Sequence, residues 1–199
     1  MTLPAPMTPR LVLGSTSRYR AELLRRLTAD FEQRAPGTDE TALAGEGPAA
    51  RALRLAIAKT ETAARGLHDA LVIGSDQVAE LDGRILDKPE TAERAHAQLT
   101  ASSGREVSFH TALCLLDTRD GRRRTHVDHT RACFRALDSA EITRYIEREQ
   151  PLDCAGSFKC EGLGISLFES IDNRDPSALI GLPLIALARL LREAGIELP

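Results

Sequence analysis

The sequence LVLGSTSRYR, residues 11–20, runs from a short apolar segment through a glycine into three hydroxyl side chains and two arginines. The apolar residues 11–13 predict a buried strand that ends at Gly14. Side chains that favour burial then recur at helical spacing, at Tyr19, Leu23 and Leu27. The stretch therefore predicts a strand, a turn and the start of a helix, the unit from which α/β folds are built.

The hydroxyl side chains of residues 15–17 allow two interpretations. One hydroxyl caps the first helix, which contributes about 1 kcal/mol. Alternatively, the free N–H groups of the helix start act with Ser15, Ser17 and the Arg20 guanidinium to bind phosphate oxygens. The glycine and lysine spacing of a P-loop is missing, so the sequence leaves both interpretations open.

Helical and strand-like segments alternate along the rest of the chain. Helices are predicted at about 48–65, 90–99, 138–148 and 183–193, and strands at 71–78, 107–116 and 127–134, with a glycine-rich and then strand-like segment at 154–168. This order predicts an α/β fold with a mixed, twisted sheet flanked by helices and two lobes around a central cleft. One domain is expected over residues 11–199, preceded by a disordered tail over residues 1–10, which contain three prolines.

Composition and charge exclude several classes of protein. The net charge of −3 does not suit a nucleic-acid-binding surface. The four cysteines form no C-x-x-C pair, the histidines have no zinc-site spacing, and no apolar run approaches the roughly 20 residues of a membrane helix. We expect a reduced, cytoplasmic protein that binds neither nucleic acid nor membranes.

Acids and lysines supply the candidate site. Asp76, near the end of the predicted strand 71–78, either bonds to backbone or holds a divalent cation and takes a proton from water. Glu40, which follows Asp39 in a polar loop, either starts a turn or binds metal. Three lysines are either solvated or converge on a triphosphate and a metal ion: Lys59, Lys88 and Lys159.

These segments together resemble the Maf-like family of nucleotide pyrophosphatases. The motifs that carry the resemblance are S-x-S-x-x-R at Ser15, Ser17 and Arg20, D-E at Asp39 and Glu40, S-D-Q at Ser75, Asp76 and Gln77, and K-P at Lys88 and Pro89. The agreement extends from Leu11 to Ile196 and implies a fold like that of Maf proteins and inosine triphosphatase.

Two further segments resemble the subfamily that hydrolyses 7-methyl-GTP. They are CAGSFKCEG at residues 154–162 and GLPLI at residues 181–185. The dTTP/UTP subfamily tends to carry a G-Y-A-x-Q-G segment in place of the first. This chain departs from the family pattern at Asp87, where glycine is common, and at Cys160, where serine is common.

The resemblance implies a role for each candidate residue. Asp76 is the implied proton acceptor, and Glu40 and Asp76 are the implied ligands of Mg²⁺ or Mn²⁺. The implied phosphate-binding residues are Ser15, Ser17, Arg20, Lys59, Lys88 and Lys159. The residues implied to select the base are Tyr19, Gln77 and Glu161. This set suits 7-methylguanine, because a cationic base favours an aromatic face and a nearby carboxylate.

The resemblance also implies a homodimer and the release of a nucleoside monophosphate and pyrophosphate. Three alternatives to a 7-methyl-GTP pyrophosphatase stay open. They are a dTTP/UTP pyrophosphatase of the same family, a nucleotide-binding regulator of cell division without turnover, and an α/β domain with ordinary surface charges.

Overall fold

The computed structural model describes residues 9–199. Its strands are β1 (Arg10–Gly14), β2 (Glu32–Arg34), β3 (Ala70–Leu81), β4 (Arg84–Leu86), β5 (Glu106–Asp117), β6 (Arg123–Phe134) and β7 (Phe168–Asp172). Its α-helices are α1 (Arg18–Leu24), α2 (Pro48–Ala63), α3 (Ala92–Ser102), α4 (Ser139–Glu149) and α5 (Leu184–Glu193). Short 3-10 helices cover Ala155–Ser157, Leu163–Leu167 and Ala178–Ile180.

The seven strands form one mixed sheet in the order β2-β1-β3-β5-β6-β7, with β4 paired to β3. The β1 strand is parallel to both β2 and β3, whereas the other pairings are antiparallel. The α/β class and the mixed sheet predicted from the sequence are therefore confirmed.

The long strand β3 changes partner along one edge. Residues 70–73 pair with β1 and residues 79–81 pair with β4, so residues 74–78 lie between the two partners. From β1, the chain continues to β2 at one edge of the sheet. From β3, it continues through β4 and α3 to β5, which lies on the opposite side of β3 from β1. Open α/β sheets bind ligands at such a point, where the strand order reverses.

Two large hydrophobic clusters lie at opposite ends of β3 and β5. One joins β1, α1 and α5 to the first half of β3. The other joins α3 and α4 to the second half of β3 and contains Phe109, Phe134 and Phe158. These clusters are the cores of the two predicted lobes, which the sheet connects.

Helix α2 packs directly on β3 because Gly74 has no side chain. A Cβ atom at this position would lie 2.1 Å from Thr60 Oγ1 and 2.6 Å from the carbonyl oxygen of Ala56. Both distances are shorter than real Cβ contacts allow. This close approach brings Lys59 of α2 beside the next residues of β3.

Local signals explain where most helices begin. Ser17 caps α1 by accepting a hydrogen bond from Arg20 N, and Thr91 caps α3 in the same way. The predicted start of α4 is confirmed, since Asp138 and Glu141 form a complete capping box. The predicted helix start at residue 90 is wrong, because Glu90 has a left-handed backbone with φ of 63°.

Two strand predictions also need correction. The strand predicted at 71–78 extends to Leu81, so Asp76 lies within β3 and not near its end. The segment 154–168 forms two short 3-10 helices joined by a turn and becomes a strand only at Phe168, because Gly156 adopts a left-handed backbone and Gly164 lies close to the backbone of Lys159.

Of the predicted tail, residues 1–8 lie outside the described part of the chain, and Arg10 is the first residue of β1. Among the helices of residues 9–199, none is long and apolar enough to cross a membrane.

Candidate active site

A cleft of about 810 Å³ opens where β3 changes partner. Most of the residues selected from the sequence line it: Ser15, Ser17, Tyr19, Arg20, Glu40, Lys59, Asp76, Gln77, Lys88 and Glu161. The fold thus brings together side chains that lie up to 146 positions apart in the chain.

The turn between β1 and α1 forms one wall of the cleft. Ser15 Oγ accepts a hydrogen bond from Ser17 N at 3.1 Å, and Arg20 Nη1 lies 3.4 Å from the same oxygen. Arg20 Nε donates to the carbonyl oxygen of Gly181 at 2.9 Å. The helix-cap interpretation is thus confirmed for Ser17, and the same turn holds the Arg20 side chain against the cleft.

Three charged groups meet at the centre of the cleft. Lys59 Nζ lies 2.5 Å from Asp76 Oδ1 and 2.8 Å from Glu40 Oε1, so one ammonium bridges two carboxylates. Asp76 is only 6% exposed, whereas the Glu40 side chain is half-exposed. A buried carboxylate requires such a partner, because an unpaired charge at this depth would be strongly destabilising.

The pKa shifts show how closely these charges interact. Burial lowers the pKa of Arg20, while the carboxylates of Asp76 and Glu40 act in the opposite direction. Burial alone would raise the pKa of Glu40, but the hydrogen bond from Lys59 and the charges of Lys59, Lys88 and Arg20 lower it overall. Glu40 is therefore an ionised acceptor at neutral pH.

The neighbours of Asp76 on β3 are fixed by hydrogen bonds. Ser75 Oγ contacts the carbonyl oxygens of Ala112 and Gly181 at 2.7 and 2.8 Å. The side-chain Nε2 of Gln77 donates to Thr111 Oγ1 and to the carbonyl oxygens of Ala178 and Leu179, at 2.9 to 3.0 Å. The side chain of Gln77 can therefore offer a ligand only Oε1, which is an acceptor.

Tyr19 and Glu161 are less constrained. Arg18 lies over the Tyr19 ring, with its guanidinium carbon 4.7 Å from the ring centre, and donates to the Tyr19 hydroxyl at 2.7 Å. The ring of Tyr19 is thus already in a cation–π contact. Glu161 is exposed, beside Cys160, in a turn after β6 and α4.

Lys159 is placed differently from the other predicted phosphate-binding residues, because it is not among the residues that line the cleft. Its Nζ atom donates to the carbonyl oxygens of Glu149 and Gln150, at 2.8 and 3.1 Å, at the C-terminal end of α4. Its backbone N–H donates to the Tyr145 hydroxyl at 2.9 Å. These contacts anchor the segment that carries Glu161.

Sequence reasoning missed Arg51, which also lines the cleft. The available signal was its spacing, since Arg51, Leu55 and Lys59 recur every four residues along α2 and share one face. Cys154 and Cys160 line the cleft too, but burial raises the pKa of each thiol to about 12, so both are protonated and poor nucleophiles.

The carboxylates of the cleft suit a metal ion that takes only part of its ligands from the protein. Within residues 9–199, no group of three or more His, Cys, Asp and Glu side chains forms a complete metal site. Glu40 and Asp76 nevertheless bring two carboxylates to one ammonium. Mg²⁺ commonly uses one or two carboxylates together with substrate phosphates and water, and these two residues fit that pattern.

Comparison with known proteins identifies the family of this chain. The family model described as Maf-like protein matches residues 10–194. A protein of Xanthomonas oryzae pv. oryzae named 7-methyl-GTP pyrophosphatase is 58% identical over 97% of this chain and 100% of its own length. A protein of Burkholderia thailandensis with the same name is 56% identical over 98% of this chain and 92% of its own length. The chain belongs to the family of Maf-like proteins.

Proposed function

We propose that this protein is a nucleoside triphosphate pyrophosphatase that hydrolyses 7-methyl-GTP to 7-methyl-GMP and pyrophosphate and so removes a modified nucleotide. The observation that carries the proposal is the buried Asp76, which shares one cleft with Lys59, Arg20 and Lys88. The names of relatives more than half identical to this chain support the same reaction.

Asp76 is the proposed proton acceptor. Its carboxylate accepts a proton from the water that attacks the anhydride between the α and β phosphates, and the bond to the departing pyrophosphate breaks. Lys59 holds the Asp76 carboxylate in one position through Oδ1. Arg20, Lys59 and Lys88 place positive charge in the cleft where negative charge accumulates on the departing group.

We also propose a divalent cation, Mg²⁺ or Mn²⁺, held by Glu40 and Asp76. When bound, the cation would polarise phosphate oxygens and neutralise part of their charge. Lys59 bridges the two carboxylates and keeps them paired in the structure described here.

The acceptors on the other side of the cleft favour guanine. Gln77 offers a carbonyl oxygen, and Glu161 offers carboxylate oxygens. The pairing edge of guanine has two neighbouring donors, at N1 and N2, whereas thymine and uracil have a single N–H between two carbonyl oxygens. A pair of acceptors therefore suits guanine better, and the negative charge of Glu161 suits the cationic 7-methyl form.

The first experiment is a measurement of pyrophosphate release from 7-methyl-GTP, GTP, UTP and dTTP with Mg²⁺ or Mn²⁺. We expect preference for 7-methyl-GTP and a loss of at least about a hundredfold in Asp76→Asn, since general-base catalysis contributes that much. Preference for UTP or dTTP would keep the reaction and reject the proposed base recognition.

One result would favour the alternative of a non-catalytic regulator of cell division. In that case, the protein would bind triphosphates but release no pyrophosphate that depends on Asp76. The homodimer and the cytoplasmic location stay predictions that gel filtration with light scattering and cell fractionation would test.

A further inference from the structure

Arg51 and Asp87 form an ion pair at the edge of the cleft. Arg51 Nη2 lies 3.0 Å from Asp87 Oδ1. The Arg51 side chain is only 13% exposed, whereas that of Asp87 is 58% exposed. The guanidinium is therefore held by the fold, while the carboxylate can move into water.

The Arg51 guanidinium has unused hydrogen-bonding capacity. Its Nε atom is buried and has no hydrogen-bond partner among residues 9–199. A buried donor without a partner is unfavourable, so such a group in a native protein needs an explanation. Substrate binding that turns the guanidinium away from Asp87 would supply one, because Nε would then gain access to an acceptor in the cleft.

Arg51 lies on the same face of α2 as Lys59. The two residues are eight positions apart, which separates their Cα atoms by about 12 Å along the helix axis. Both side chains line the cleft. Asp87, the partner of Arg51, directly precedes Lys88, so the guanidinium lies next to the segment that carries the outermost of the proposed phosphate-binding lysines.

The charge balance of the proposed site leaves room for another cation. The residues proposed to bind the phosphates and the metal are three cations, Arg20, Lys59 and Lys88, and two carboxylates, Glu40 and Asp76, and all five line the cleft. A triphosphate carries a negative charge on every phosphate group. Even with a divalent cation bound, an additional guanidinium would improve the balance at the pyrophosphate end, and arginine suits this role because its planar donors match phosphate oxygens.

We propose that Arg51 is a further phosphate-binding residue, which binds the pyrophosphate end of the substrate, and that Asp87 is a competing anion that holds the guanidinium when no substrate is bound. This inference rests on the proposed function. On binding, phosphate oxygens replace the Asp87 carboxylate at the guanidinium, and Asp87 turns toward water. The Asp87 carboxylate is more than half exposed and is hydrated when it is released, so the loss of this ion pair costs little in comparison with a charge-assisted bond to phosphate.

The test is the affinity for inorganic pyrophosphate in magnesium buffer, measured by isothermal titration calorimetry. We expect Arg51→Met to raise Kd about tenfold, because the variant loses charge-assisted hydrogen bonds to phosphate oxygens. Arg51→Lys should raise Kd by less, because it keeps the positive charge. Arg123→Met is the matched control. Arg123, on β6, pairs with Glu61 of α2 outside the cleft, so this variant should leave Kd unchanged.

The sign of the effect of Asp87→Asn distinguishes competition from a structural role. If Asp87 competes with phosphate, Asp87→Asn should bind pyrophosphate about threefold more tightly, because the ligand no longer has to displace a carboxylate from Arg51. The gain should vanish in the double variant Arg51→Met/Asp87→Asn. If Asp87→Asn instead weakens binding as Arg51→Met does, the pair only fastens the segment of Lys88, and the proposal is wrong.

Two other outcomes would overturn the proposal: unchanged Kd in Arg51→Met, or no measurable binding of pyrophosphate by the unaltered protein. Hydrolysis of the nucleotide panel is recorded separately. Binding of pyrophosphate that depends on Arg51 without nucleotide hydrolysis would support the role of Arg51 and reject the proposed function. Hydrolysis together with an Arg51→Met variant of normal affinity would reject the role of Arg51 alone.

Discussion

The two sides of the cleft are built differently. On the side proposed to bind phosphates, Arg20, Lys59 and Asp76 come from α1, α2 and β3, and each contacts partners within the protein. Of the residues proposed to bind the base, Glu161 is exposed in a turn, whereas Tyr19 lies on α1, half-buried beneath the exposed Arg18. The reacting group is thus fixed by regular elements, whereas Glu161, which is proposed to recognise the charge of the base, lies in a turn where the chain can vary.

This difference predicts different consequences of mutation. Changes on the phosphate side should affect stability and every substrate together, because the same contacts hold the fold and the charges. Changes on the base side should alter the choice between nucleotides and leave stability nearly unchanged. Four variants test this comparison.

The largest effect is expected from Lys59→Met. Removing the ammonium leaves the carboxylates of Asp76 and Glu40 without their shared partner, which should destabilise the protein by about 3 kcal/mol and abolish most turnover of every nucleotide. Thermal unfolding with a chelator present and the nucleotide panel measure the two losses. Normal turnover in this variant would remove Lys59 from the proposed site.

The stability loss in Lys59→Met should depend on pH. The pKa of Glu40 is lowered in the folded protein, so its contribution to stability is present above its unfolded pKa and is lost as pH falls through the folded value. The difference in Tm between the two proteins should therefore be largest near pH 7 and shrink below about pH 4, near the ordinary pKa of glutamate. A difference that grows on acidification would contradict this assignment.

Gly74→Ala should have the next largest effect. Its Cβ would overlap Thr60 Oγ1 and the carbonyl oxygen of Ala56, so α2 must move away from β3. We expect a loss of about 2–3 kcal/mol and a reduced kcat for all nucleotides, because Lys59 moves with the helix. Gly47→Ala is the control, since nothing lies within 4 Å of its added Cβ. Equal losses in the two variants would show that close packing at Gly74 is not the cause.

The phosphate side was also the more predictable from sequence. The strand, turn and capped helix at residues 10–24 follow from local signals, and short motifs marked Asp76 and Lys88. The bridging role of Lys59 needed the packing of α2 on β3, which no local pattern encodes. Arg51 was missed because its partner Asp87 lies 36 positions away and is brought near only by the sheet.

The segment that carries Glu161 was less predictable because it contains only short 3-10 helices and turns. The sequence at 154–168 was interpreted in part as a strand, but its backbone is set by left-handed residues and by the close approach of Gly164 to the backbone of Lys159. Lys159 was predicted to bind phosphate, and the structure gives its ammonium two carbonyl partners at the end of α4.

Glu161→Gln tests the base side directly. This change keeps the shape of the side chain and removes its charge, so kcat/KM for 7-methyl-GTP should fall about tenfold while that for GTP changes little. The Tm should stay constant because Glu161 is exposed. Glu169→Gln, an exposed residue of β7 outside the cleft lining, is the matched control. An equal fall for both nucleotides would show that Glu161 does not recognise the charge of the base.

Lys159→Met should have the smallest effect and distinguishes the two roles of this residue. If Lys159 anchors the segment of Glu161 to α4, the variant should lose a few-fold in selectivity for 7-methyl-GTP over GTP and retain its affinity for pyrophosphate. Lys88→Met provides the contrast, because loss of a phosphate contact should weaken pyrophosphate and all triphosphates alike. If Lys159→Met behaves like Lys88→Met, Lys159 binds phosphate after rearrangement, and the separation between the two sides of the cleft breaks down at this residue.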